Sequence, residues 1–166
     1  MHKIGEKVVY GSFGVMEIVD KRIEKVIDIS REYYILESVG GGGGSQTFVP
    51  VDNEKLVANM RPLLTKEEVI EFVRSLDSVQ PAEWISDNRA RSERFKSLIE
   101  SGDRAGMVSM IKLVRLTGIR RAEEGKKNYL VDENAMNKAE KLLNSEIATV
   151  MGISLEEVPD FIKNNK

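Results

Sequence analysis

The strongest constraint in this chain is a change of hydrophobic rhythm just after Pro62. Before it, β-branched and aromatic residues fall in short runs punctuated by glycine, which suits strands on a half-buried sheet. After it, apolar residues recur at three- and four-residue spacing, the signature of packed helices. Two rhythms in separate blocks predict an α+β protein. A small barrel-like β domain is expected over residues 1–62 and a compact all-helical domain over residues 63–166.

Lys7-Val8-Val9-Tyr10 reads as a first strand ending at Gly11 and Gly14. Val15 to Ile29 mixes Ile18, Val19, Ile23, Val26, Ile27 and Ile29 with charges, as a bent, twisted hairpin would. Glu32–Glu37 and Gln46–Pro50 supply two further strands. Gly40–Gly44 with Ser45 reads as a flexible hairpin tip, or as a linker standing in place of a turn. A β module of about sixty residues has little core of its own, so it is expected to lean on a helix or offer an edge strand to a partner.

In the second block Thr65 and Glu68 form a capping-box pair ahead of Val69, Ile70, Phe72, Val73 and Leu76. Gln80-Pro81 marks a break. A second helix is expected from Glu83 to Gly102, with Phe95, Leu98 and Ile99 buried. Asp103 is placed to cap a third, running to Glu124, and Asp132 to cap a fourth that ends at Gly152. Ser154 and Glu157 have the spacing of a last capping box.

Composition removes several chemistries. Without cysteine there are no disulfides, zinc ribbons or thiol nucleophiles, and a single histidine, His2, leaves no His-based triad or metal centre. The start of the chain does not resemble a signal peptide and no apolar run is long enough to span a bilayer, so a cytoplasmic protein with no membrane contact is expected. The acidic pairs Glu67-Glu68, Glu123-Glu124 and Glu156-Glu157 read as helix-end charges more than as acid–base catalysts. Neither the glycine run nor Gly125-Lys126-Lys127 has the strand–helix context of a phosphate loop. No nucleophile has an activating base, so no enzyme activity, cofactor or small-molecule substrate is expected.

The formal net charge of −2 conceals an asymmetry. Residues 1–80 carry −3, residues 81–127 carry +4, and residues 128–166 carry −3. The basic block opens on the only tryptophan, in Trp84-Ile85-Ser86-Asp87-Asn88-Arg89-Ala90-Arg91-Ser92-Glu93-Arg94-Phe95-Lys96. A flat apolar ring followed by guanidinium groups is what a nucleic-acid wedge needs: the ring presses on a base step and the cations hold the phosphates. The same residues also fit a core tryptophan at a helix start with solvated arginines behind it. At helical spacing Arg91 and Arg94 are neighbours, while Arg89 and Lys96 flank them at wider angles. Arg120-Arg121 and Lys126-Lys127 fit solvated surface better than contact residues.

The order of these features resembles the CarD-like family of bacterial transcription regulators. The resemblance rests on Ile4-Gly5-Glu6-Lys7-Val8-Val9-Tyr10 with Gly14, on Tyr33-Tyr34-Ile35-Leu36 and on Phe48-Val49-Pro50-Val51-Asp52-Asn53. In the helical half it rests on Trp84, Asn88-Arg89-Ala90-Arg91, Lys96, Ser101-Gly102-Asp103 and Ala139-Glu140-Lys141-Leu142-Leu143. It spans nearly the whole chain in the right order. The first module is similar to one in the transcription–repair coupling factor, whose helicase motor has no counterpart here.

The resemblance implies a Tudor-like β module that docks on the β subunit of bacterial RNA polymerase. It also implies a helical module reaching promoter DNA at the upstream edge of the bubble, with Trp84 in the minor groove. Trp84, Asn88, Arg89, Arg91, Arg94 and Lys96 are then the DNA-contacting candidates. Lys25, Val26, Ile27, Phe48 and Pro50 are the polymerase-contacting ones. Relatives often carry a basic residue where this chain has Phe48, so docking here would lean on apolar contact and backbone pairing. Such a protein would stabilise the promoter open complex and sit on the nucleoid through polymerase. The rival expectation is a protein-interaction adaptor with a Tudor-like module and no direct DNA contact.

Overall fold

The computed structural model describes residues 1–39 and 44–166. The hairpin tip expected over 40–45 therefore lies mostly outside the described residues. The chain divides into two compact units, Met1–Leu63 and Leu64–Lys166.

The first unit is an antiparallel sheet of five strands: β1 (Lys7–Tyr10), β2 (Gly14–Val26), β3 (Ile29–Ser38), β4 (Thr47–Pro50) and β5 (Met60–Pro62). A short helix, α1 (Glu54–Ala58), joins the last two strands. Asn53 caps it by accepting the Leu56 amide at 3.1 Å. The strand order is β4-β3-β2-β1-β5, so β4 and β5 are the two edges and the sheet is open. That differs from the barrel expected from the sequence, which would need pairing between those edges.

Val8, Tyr10, Met16, Ile18, Tyr34, Leu36, Val49 and Met60 form the apolar core of this unit, with Leu56 and Val57 of α1 packed against it. The strand register shifts between Ile18 and Asp20, so Val19 has no partner on β3. A bulge of this kind bends and twists its strand. Past the pair Arg22–Tyr33, where the pairing of β4 with β3 ends, β2 and β3 continue as a two-stranded arm to the pair Val26–Ile29. Ile23, Val26, Ile27 and Ile29 on this arm are all exposed. The alternation of the core half thus continues outward as an arm whose apolar residues find no cover in the unit.

The second unit is helical: α2 (Lys66–Ser75), α3 (Asn88–Ser101), α4 (Arg104–Glu123), α5 (Leu130–Met151) and α6 (Val158–Asn165). Both expected capping boxes form. Thr65 and Glu68 exchange bonds at the start of α2, and Ser154 and Glu157 do so ahead of α6. Asp103 caps α4 through the Gly106 amide, and Gly102 and Gly152 take left-handed conformations at the ends of α3 and α5. Phe95, Leu98 and Ile99 of α3 pack with Met107, Val108, Met110, Ile111, Leu113 and Val114 of α4 and with Ala139 and Leu143 of α5. A second cluster joins Val69 and Val73 of α2 to Ile147 and Ala148 of α5 and to Val158. Among the described residues, no helix is long and apolar enough to cross a membrane.

Two helix starts differ from expectation. The helix expected from Glu83 begins at Asn88, with Asp87 as its cap accepting the Ala90 amide at 2.7 Å. Asp132 does not cap α5, which begins two residues earlier with Tyr129 in the cap position. Its carboxylate is buried and serves another purpose.

Candidate nucleic-acid interface

Trp84 lies on an extended segment between α2 and α3, and that segment is tied to α4. Ser109 Oγ donates to Gln80 O at 2.6 Å, and Ala82 N donates to Ser109 O at 3.0 Å. The Lys112 ammonium donates to Leu76 O and Val79 O at 2.5 and 2.6 Å. Non-helical backbone needs partners for its polar groups, and here α4 supplies them. The segment is pinned without becoming helix, and its tryptophan stays 37% exposed.

Beneath the indole sits Arg91. Its guanidinium carbon is 4.2 Å from the Trp84 ring centre and 4.9 Å from that of Tyr129. Nε donates to Asp132 Oδ2 at 2.8 Å, one terminal nitrogen donates to Ile85 O at 2.8 Å, and the other to Asn88 Oδ1 at 2.9 Å. Arg91 and Asp132 are each only 2% exposed. The planar guanidinium suits this position because it can stack on rings and donate in its own plane at once. The Trp84 and Tyr129 rings lie 5.8 Å apart at 31°. Trp84 and Arg91 thus converge with the distant Tyr129 on one aromatic–cation cluster.

This placement corrects the expectation for Arg91 as a phosphate contact. Buried and committed to Asp132, Ile85 and Asn88, it supports the tryptophan and presents no charge to a ligand. Asn88 is likewise engaged through its carbonyl oxygen with Arg91, although its residue is exposed. Arg89, Arg94 and Lys96 are exposed on α3. Arg89 pairs with Glu93 at 3.2 Å and Lys96 with Glu100 at 3.7 Å, both one helical turn on. Exposed pairs of this kind are weak and readily exchanged for a phosphate. The Arg94 side chain makes no hydrogen bond or ion pair among the described residues.

Tyr129 was not among the candidates drawn from the sequence. Its hydroxyl accepts from a terminal nitrogen of Arg121 at 3.2 Å, whose guanidinium carbon lies 4.2 Å from the ring centre. Arg121 Nε also donates to Lys127 O at 2.8 Å. In the cap position of α5, Tyr129 carries no sequence signal of its own; only the cations at 120–127 hint at this surface.

In the first unit the candidates lie along β2, β3 and β4. Phe48 is 41% exposed on the edge strand β4, edge-on to Tyr33 at 6.1 Å, with the Arg22 guanidinium 6.0 Å from its ring centre. Pro50 closes the same strand opposite Tyr33. Arg22 is itself held by Glu24 at 2.6 Å and Asp20 at 3.2 Å, and the Glu24 hydrogen bond is the main reason its pKa lies above the usual arginine value. Residues 2–64 match the family model of the CarD-like/TRCF RID domain. The first unit is a CarD-like/TRCF RID domain. The match ends where the helical unit begins, and a comparison of the chain with curated proteins finds no match.

Within the RID domain, Lys25, Val26 and Ile27 occupy the outer end of the β2–β3 arm, remote along the strands from the edge residues Phe48 and Pro50. The five candidates thus form two patches, one at the arm tip and one on the β4 edge. Ile27 is 87% exposed and has a φ of 59°, the left-handed region that a β-branched side chain rarely enters.

Proposed function

We infer that this protein is a CarD-like, RNA polymerase-interacting transcription regulator without enzymatic activity. Its RID domain docks on polymerase through the β subunit, and its helical unit engages promoter DNA at the upstream edge of the bubble. The observation that carries the DNA half is Trp84: an indole left partly exposed on a pinned extended segment, backed by a buried cation, with Arg89, Arg94 and Lys96 exposed on the next helix.

Phosphate contacts from those three cations would position the ring without reading sequence. The ring supplies the state preference. Opening a promoter loses stacking of about 1.4 kcal/mol per step. A ligand shifts that equilibrium only by the difference in its affinity for the two states. An indole that fills the groove only beside unstacked bases, contributing about 1–3 kcal/mol, would favour the open form roughly 5- to 150-fold. Asn88 belongs to the support of the ring in this reading, as does Arg91.

The test is the lifetime of promoter open complexes formed by bacterial RNA polymerase with and without the protein. The wild-type chain is expected to lengthen it and Trp84→Ala to lose most of the effect. Equal activity of the two would leave the RID domain as a docking adaptor and remove the wedge.

A further inference from the structure

We propose that a cavity in the helical unit binds a small amphipathic carboxylate. Its apolar chain is held among α2, α4, α5 and α6, and its head is received by Lys112 and Arg115. The site stands apart from the DNA-binding reading above and needs neither nucleic acid nor polymerase.

The cavity has a volume of about 340 Å³. Protein interiors are packed with few voids larger than a water molecule, and small-ligand sites begin at about 300 Å³. Phe72 of α2, Val108 of α4, Leu143 and Ile147 of α5 and Ile162 of α6 line its walls. Val108 and Leu143 belong to one apolar cluster of the unit and Ile147 to the other, with Phe72 packed against both. The cavity thus lies between two clusters that an apolar chain would join into one core.

The charges around the cavity decide the class of ligand. The ionic lining residues are Lys112, Arg115 and Lys166 against Asp77 and Glu140. Both carboxylates are already paired, Asp77 with Lys166 at 2.6 Å and Glu140 with Arg115. Lys112 has no carboxylate within ion-pair distance among the described residues, and it attracts Asp77 only from further off. Its ammonium spends two donors on Leu76 O and Val79 O, and a third remains. Arg115 follows three residues on along the same face of α4 and, with one terminal nitrogen engaged by Glu140, keeps donors to spare. Asn144, half-buried on α5, lines the same space, and its side-chain amide has no hydrogen-bond partner among the described residues. A carboxylate here gains charge-assisted bonds, an alcohol gains weaker ones, and a cation meets Lys112 as a like charge. Because Lys112 also pins the segment that carries Trp84, occupancy of the site bears on that segment.

The test titrates the full chain with octanoate, 1-octanol and octylammonium by calorimetry while following the anisotropy of Trp84. Octanoate is expected to bind at one site about tenfold more tightly than octanol, with octylammonium weaker still. Arg115→Met should lose most of the advantage of octanoate over octanol. Asn144→Phe, which fills the cavity, should abolish binding of both, with circular dichroism as the check on its fold. The three ligands compared on the wild type decide the class without any substitution. Absence of binding, octanol binding as tightly as octanoate, or octanoate binding undiminished in a folded Asn144→Phe each overturns the proposal. Heat of binding with unchanged Trp84 anisotropy would remove the link to that segment and leave the site standing.

Discussion

The Arg91 guanidinium lies 4.2 Å from the centre of the Trp84 ring while its Nε is fixed to Asp132 at 2.8 Å. The pair is buried, so its value depends on both members being present. Removing one leaves an uncompensated charge, which costs about 3–5 kcal/mol, whereas replacing both with apolar groups of similar size is often neutral. Asp132→Ala should therefore destabilise the helical unit strongly, and Arg91→Met/Asp132→Leu should recover most of the loss in urea unfolding. The double variant should still hold Trp84 less firmly, which steady-state anisotropy of the single tryptophan reads directly. Recovered stability with unchanged anisotropy would show that Arg91 does not position the ring.

Trp84 itself contributes little to the fold. It is partly exposed and lies outside the apolar cluster formed by α3, α4 and α5. Trp84→Ala should shift the unfolding midpoint modestly, by no more than about 1–2 kcal/mol for the lost cation–π contact and part of the ring's burial. Its effect on open-complex lifetime should be far larger in proportion. A variant whose functional loss only tracks its loss of stability would speak against the wedge.

How these residues meet was partly legible beforehand, and the dividing line is locality. The capping boxes at Thr65/Glu68 and Ser154/Glu157 read correctly because each is complete within four residues. Asp132 leaves the cap role expected of it because its partner, Arg91, lies 41 residues away. The helix starts at Asn88 and not at Glu83 because Asp87 takes the cap and the Arg91 side chain, itself fixed by the distant Asp132, claims the Ile85 carbonyl, which no local pattern announces. The three-residue β5 and five-residue α1 are too short to show a period. An open sheet and a closed one share the same strand alternation, so the edges at β4 and β5 could be found only from the pairing.

Gly118→Ala tests the seat of Asn128. The added Cβ would stand 2.8 Å from the side-chain nitrogen, so Asn128 must give way and its bond to Val114 O is compromised. Overpacking of this kind costs about 1–3 kcal/mol. Because Asn128 also accepts the Tyr129 amide, the disturbance should reach the ring cluster and alter Trp84 emission. Gly125→Ala, with open space around its Cβ but a positive φ, should lower stability and leave the emission nearer to wild type.

Glu157 gives a pH-dependent prediction. Its carboxylate accepts the Ser154 amide, and that backbone bond, with the Ser154 hydroxyl, holds its pKa below the ordinary glutamate value of 4.5. A depressed carboxylate contributes stability that is present above the unfolded value and fades as pH falls through the folded one. Glu157→Gln should thus be less stable than wild type at neutral pH, and the gap in thermal midpoint should narrow as pH drops below 4.5. A gap that stays constant across that window would assign the effect to something other than the charged capping bond.

Ile27 separates folding from docking most sharply, because the two make opposite demands on it. As a β-branched residue at φ 59° it carries strain of about 1–3 kcal/mol, and its exposed side chain gains no packing in return. Glycine enters this region freely but adds about 0.5–1 kcal/mol of chain entropy to be lost on folding. Ile27→Gly should therefore leave the β2–β3 arm as stable as before or more stable by about 1 kcal/mol, measured by hydrogen exchange of the arm amides. If the arm tip docks on polymerase, the same substitution should weaken retention of the full chain on immobilised bacterial RNA polymerase. Ile27→Val, which keeps the branched apolar surface, should retain it. Undiminished retention of Ile27→Gly would move the docking surface away from the tip, towards Phe48 and Pro50 on the β4 edge.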